Sequence, residues 1–96
     1  MKESQIEKAI VKYAKNKGIL SFKFNSRNII GVPDRIFISA YNNIFFIEFK
    51  RPKGSLTTIQ NYIIKILREK GCNVHLVGNI EQGKQIIDNL GVIYNV

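Results

Sequence analysis

Gly31-Val32-Pro33-Asp34-Arg35-Ile36-Phe37-Ile38-Ser39, a break at Ala40-Tyr41-Asn42-Asn43, and then Ile44-Phe45-Phe46-Ile47-Glu48-Phe49-Lys50 together decide the fold of this chain. The apolar runs Asp34 to Ser39 and Ile44 to Phe49 flank a segment whose two asparagines tolerate positive φ. Folding at that break makes an antiparallel hairpin. A loop of about three to five residues sets Asp34 opposite a position between 48 and 50. Opposed Cβ atoms in such a ladder lie roughly 4.5–5.5 Å apart. Side chains two apart share a face, so Glu48 and Lys50 point one way and Phe49 the other. Asp34, Glu48 and Lys50 therefore converge at one end of the hairpin. Charges against apolar strands are costly to desolvate unless they are paired or bind a metal. Two acids in or beside strands, where acids are disfavoured, point to a divalent cation near a phosphodiester.

The flanking segments supply the rest of the architecture. Residues 4–17 read as an amphipathic helix, with Ile6, Ile10, Tyr13 and Ala14 on one stripe and Lys8, Lys12 and Lys15 on another. Ser4 and Glu7 have capping-box spacing, and Gly18 is a stop. Residues 19–24 alternate as a half-buried strand, and Asn25 to Val32 is a basic loop containing Arg27. Pro52, in Arg51-Pro52-Lys53-Gly54-Ser55, ends the second hairpin strand. A helix over 57–70 presents Ile59, Tyr62, Ile63, Ile66 and Leu67 as its apolar face, and Gly71 ends it. Residues 73–77 read as a strand. Asn79 caps a last helix over 80–90, closed by Gly91. The tail, Val92 to Val96, suits an extra strand or an oligomer contact. The order is α-β-β-β-α-β-α in one domain spanning 1–96. The strand after helix 57–70 returns parallel to the one before it. The fold class is α/β, a mixed central sheet flanked by helices.

The 96 residues are 45% apolar and 10% aromatic, as in a globular protein. A chain of this size buries only about 60–65% of the surface its unfolded form exposes, so oligomerisation would help. The net charge of +8 and pI near 9.8 call for a polyanionic partner. Nucleic acid is favoured over anionic lipid, and no stretch reaches the ~20 apolar residues of a membrane helix. No signal peptide is visible at Met1-Lys2-Glu3-Ser4. The single Cys72 rules out an internal disulfide and a Cys-rich zinc module, and suits a cytoplasmic location.

Pro33-Asp34 followed by Glu48-Phe49-Lys50 at a hairpin end resembles the PD-(D/E)XK nuclease superfamily, whose restriction-endonuclease-like core has the order α-β-β-β-α-β. The finer resemblance is to the virus-type replication-repair nuclease (VRR-NUC) domain. It rests on Gly31 to Asp34, Glu48 to Lys50, Gln60 early in the next helix and Glu7 in the first, and it spans roughly residues 4–77. Archaeal-type Holliday junction resolvases share the layout. The resemblance implies a Mg²⁺- or Mn²⁺-dependent endonuclease that acts as a homodimer on branched DNA, in phage or bacterial cells. It implies catalytic roles for Asp34, Glu48, Lys50, Gln60 and Glu7. The metal ligands would be Asp34, Glu48 and the Phe49 carbonyl. No small-molecule cofactor is expected.

Each residue also has a bland reading. Asp34 suits a turn, and Glu48 with Lys50 suits an edge-strand pair, although the run Ile44 to Ile47 argues for a central strand. Glu7 is equally explained as a cap, and Thr57-Thr58-Ile59-Gln60 is itself a capping box. Arg27, Arg51 and Lys53 read as phosphate contacts or as solvated surface. His75 stands alone, so no triad or histidine zinc site forms and a structural role fits it best. Tyr41 and Asn42 could touch DNA but suit a solvent-facing turn. Two further functions remain open: a non-catalytic basic nucleic-acid-binding module on the same fold, and an RNA nuclease. The lone histidine disfavours the latter.

Overall fold

Capped helices and short apolar strands follow one another along the chain. They are α1 (Glu3–Asn16), β1 (Leu20–Lys23), β2 (Arg35–Ile38), β3 (Ile44–Phe49), α2 (Thr58–Glu69), β4 (Asn73–Val77) and α3 (Ile80–Leu90). The computed structural model describes residues 1–40 and 43–90. Tyr41, Asn42, the Gly91 stop and the tail from Val92 lie outside the described residues.

The sheet order is β1-β2-β3-β4. β1, β2 and β3 form an antiparallel meander, and β4 returns parallel to β3 after α2. The β2–β3 register pairs Arg35 with Ile47 and Ile36 with Phe46. Carried one residue outward, it sets Asp34 opposite Glu48, as the hairpin reading requires. The next rung continues from Glu48 to Leu76 on β4.

Strand alternation divides the sheet into two faces. Phe37, Phe45, Ile47, Phe49 and Val77 join Ile6, Ile10 and Ala14 of α1 and Ile87 of α3 in the main core. Phe37 and Phe45 stack with ring centroids 5.3 Å apart. Gly83 lets α3 approach α1 closely, because a Cβ there would lie 2.5 Å from the Ile10 side chain. The opposite face carries Glu48 and receives α2, which packs on β4.

Three expectations change in detail. Helix α1 begins at Glu3 with Lys2 as its cap residue, and the Lys2 backbone N–H donates to Gln5 Oε1 at 2.9 Å. The Ser4–Glu7 capping box is therefore not formed; Glu7 is two residues too far in and is held elsewhere. In α2 the buried residue is Ile64, while Ile59 and Tyr62, expected on the packed face, are exposed. Because α2 sits over the β4 side, it buries a narrow stripe. It also leaves the β1 end of that sheet face open, so Leu20 and Phe22 of β1 are 59% and 54% exposed rather than half-buried. The other termini follow the sequence signals. Thr57 caps α2, Gly71 follows it with φ +91°, and Gln82 N–H donates to the Asn79 cap at 2.7 Å.

The Gly31 backbone locks the loop before Asp34 onto the start of α2. Its φ is +95°, and an added Cβ would lie 2.7 Å from the Ile59 side chain and 3.1 Å from Ile59 backbone atoms. Gly18 also has a positive φ, +78°, but open space around it. Gly18→Ala therefore isolates the backbone cost of about 1–2 kcal/mol. Gly31→Ala adds a clash with main chain and should destabilise the protein by clearly more in urea unfolding. Equal losses for the two variants would refute the close-approach role of Gly31.

Candidate functional site

The end of the β2–β3 hairpin gathers Asp34, Glu48 and Lys50, as the alternation argument requires. Asp34 is half-buried, and its Oδ2 accepts the Phe49 backbone N–H at 2.8 Å. The Asp34 carbonyl accepts the Phe24 N–H at 2.9 Å, which ties the loop to the β1 side. Lys50 is fixed by its N–H, which donates to the Val77 carbonyl at 2.8 Å. Its ammonium lies 3.6 Å from Glu48 Oε2.

Glu48 is 2% exposed. Its Oε2 accepts a hydrogen bond from Gln60 Nε2 at 3.1 Å. Gln60 serves two ends at once: its Oε1 accepts the Thr57 N–H at 3.0 Å, and its own N–H donates to Thr57 Oγ1 at 3.1 Å. The capping-box and site readings of this residue are therefore compatible. Glu48 Oε1, in contrast, is buried with no hydrogen-bond partner among the described residues. Burial, then the neighbouring Asp34 charge, pushes the Glu48 carboxyl up from 4.5 to about 7, and Lys50 only partly opposes this. Burial also raises Asp34; the Phe49 N–H counters it and the Glu7 charge adds to it.

An orphaned buried carboxylate oxygen on a group that a second carboxylate already repels fits a divalent cation. Hard cations take oxygen donors, and their charge would offset the desolvation that raises both groups. The donor set would be Asp34, Glu48 and the Phe49 carbonyl. Among the described residues no three His, Cys, Asp or Glu side chains gather at one point, so Glu7 does not complete a carboxylate triad. Glu7 Oε2 instead accepts from Arg35 Nε at 2.6 Å and lies 3.5 Å from Lys23 Nζ. Arg35 also donates to Ser21 Oγ at 3.2 Å. Arg35 alternates with Asp34 and so points to the α1 side of the sheet, which places Glu7 across the sheet from the pair.

Arg27, Arg51 and Lys53 are exposed. The Arg51 N–H meets Glu3 Oε2 at 3.3 Å, which brings the start of α1 to the loop after β3. His75 packs edge-on to Phe45, and burial lowers its pKa, as befits a structural ring. Arg35 and Glu3 are the residues that sequence reading missed. A signal existed for Arg35: a cation inside an apolar strand needs an acid on the facing helix, and Glu7 sits next to the buried Ile6.

No protein-family model matches the chain, and no curated protein does. A solved structure described as a VRR_NUC domain superposes with a TM-score of 0.84 at 25% identity, covering 90% of this chain and 94% of that one. The fold is thus of the PD-(D/E)XK nuclease class. Within that class the chain has the VRR-NUC form, in line with its Gly31 to Asp34 and Glu48 to Lys50 motifs.

The raised Glu48 carboxyl gives a pH signature. Between about 4.5 and about 7 the native protein holds a proton that the unfolded chain has lost. The stability from that proton is complete at the acid end and disappears as pH rises to about 7. Metal-free protein followed by chemical denaturation should lose stability across this window, and Glu48→Gln should flatten the slope. Added Mn²⁺ above the window should stabilise the wild type only. Coincident pH profiles for the two proteins would contradict this account of the site.

Proposed function

We propose that residues 1–96 form a Mg²⁺- or Mn²⁺-dependent endodeoxyribonuclease domain that hydrolyses phosphodiester bonds in branched DNA. The observation that carries this reading is the buried, unpartnered Oε1 of Glu48 beside Asp34. Asp34, Glu48 and the Phe49 carbonyl would hold the ion. When bound, it would lower the pKa of a coordinated water and neutralise charge on the scissile phosphate. Lys50 sets a cationic donor at that phosphate, where charge grows in the transition state. Gln60 holds Glu48 in one orientation, and its cap bonds tie that orientation to the start of α2. Glu7 acts through its charge on Asp34, with Arg35 fixing its position.

Arg27, Arg51 and Lys53 would supply salt-sensitive, sequence-independent affinity for the DNA backbone. So small a chain has little room for a separate base-reading element, which favours recognition of DNA shape. A homodimer would present two sites to a symmetric junction. The exposed Leu20, Phe22 and Ile44 on the uncovered sheet face support such pairing. A cytoplasmic setting suits the single Cys72, which is free. No helix among the described residues is long and apolar enough to cross a membrane.

Cleavage of a four-way junction and of a matched linear duplex, each with Mg²⁺ or Mn²⁺, tests this reading. The wild type should cut the junction in preference. Asp34→Ala and Lys50→Ala should each lower the rate by about 100-fold or more. No cutting of either DNA, with binding intact in all three proteins, would leave a non-catalytic basic module.

A further inference from the structure

We infer that the groove between α1 and β1 is a second track for a nucleic-acid backbone, leading along α1 away from the end of the sheet that holds the carboxylate pair, on the opposite face. Its direction rests on the nuclease reading of that pair; its charge does not. The groove encloses about 480 Å³ and is lined by Lys8, Lys12, Lys15, Lys23 and Arg35 against a single acid, Glu7. These five cations exceed the one carboxylate by half of the chain's net charge of +8.

The acid is already engaged by Arg35 and Lys23. Lys8, Lys12 and Lys15 are exposed and make no ion pair among the described residues. They recur at helical spacing and so line one side of α1. From Lys8 to Lys15 the helix rises roughly 10 Å at 1.5 Å per residue. That matches about three phosphates of one strand, at 3.4 Å of duplex axis each.

Two further observations choose the partner. The start of α1 adjoins the loop after β3, where Lys2, Arg51 and Lys53, with the one acid Glu3, line a neighbouring polar cleft of about 410 Å³. Cations therefore continue from the carboxylate end to the far end of α1. The apolar stripe of α1, by contrast, is largely spent inside the protein: Ile6, Ile10 and Ala14 are each 0% exposed, and Val11 and Tyr13 are partly buried against the same core. The helix keeps no broad apolar face to enter a lipid headgroup layer, which an interfacial helix needs. A phosphodiester backbone is the polyanion that fits.

The test is the salt dependence of duplex and junction binding without divalent cation, so that cleavage does not enter. Each lost phosphate contact lowers the slope of log K against log salt by about 0.9. The triple variant Lys8→Gln/Lys12→Gln/Lys15→Gln should lose about 2–3 from that slope, with an unchanged circular dichroism spectrum and melting temperature. Lys65→Gln/Lys70→Gln, on and just after α2, should leave the slope near wild type. A wild-type slope in the triple variant would overturn the inference, and so would binding to phosphatidylserine vesicles that depends on these lysines in place of DNA binding. A reduced slope in a protein that cuts no DNA would support the track and sink the nuclease reading instead. Intact cleavage with an unchanged slope would do the reverse.

Discussion

A carboxylate buried against an apolar sheet, with one oxygen hydrogen-bonded and the other left without a partner, sets the terms for everything around it. Glu48 is the fifth residue of a central strand, between β2 and β4, and its neighbours across the ladder are Asp34 and Leu76. A second acid beside a buried first one raises the cost of ionising either. Only part of that cost is offset locally: Lys50 approaches Glu48, and Gln60 donates one hydrogen bond. The Phe49 N–H performs the same service for Asp34. That both acids are kept under these conditions is the observation on which the proposed cation site rests.

The scaffold follows from holding these groups still. Asp34 comes at the end of a loop fixed by Gly31 against Ile59, so the loop and the start of α2 are one unit. The same start of α2 delivers Gln60 to Glu48 while closing the helix cap on Thr57. Lys50 is held by its hydrogen bond to the end of β4. Three segments thus meet at one end of the β2–β3 ladder, and each is anchored by backbone bonds rather than by side-chain packing alone.

The hairpin, the order of elements and the carboxylate pair were legible because they rest on local rules. Period-two alternation fixes which residues share a face, and a short turn fixes the register to within one pairing. The strand at 73–77 and the caps at Thr57 and Asn79 were legible for the same reason. What could not be read depends on how helices lie across the sheet. Helical spacing in α2 picks out Ile59, Tyr62, Ile63, Ile66 and Leu67, whereas its position over β4 buries Ile64 and leaves Ile59 and Tyr62 exposed. In the same way, residues 19–24 alternate as a half-buried strand should, yet no helix among the described residues reaches the β1 side of the face that carries Leu20 and Phe22. Glu7 fits a capping box by spacing; its real partner, Arg35, is 28 residues away and comes near only once the sheet is built.

Divalent-cation binding by the Asp34–Glu48 pair is the point on which the account turns, and it can be measured without any nucleic acid. Mn²⁺ titration followed by electron paramagnetic resonance, with wild type, Asp34→Asn and Glu48→Gln compared, addresses it directly. The account predicts a site in the wild type that each substitution weakens severely, while both variants keep the native fold. Mn²⁺ binding that is absent from the wild type, or unchanged in both variants, would contradict it.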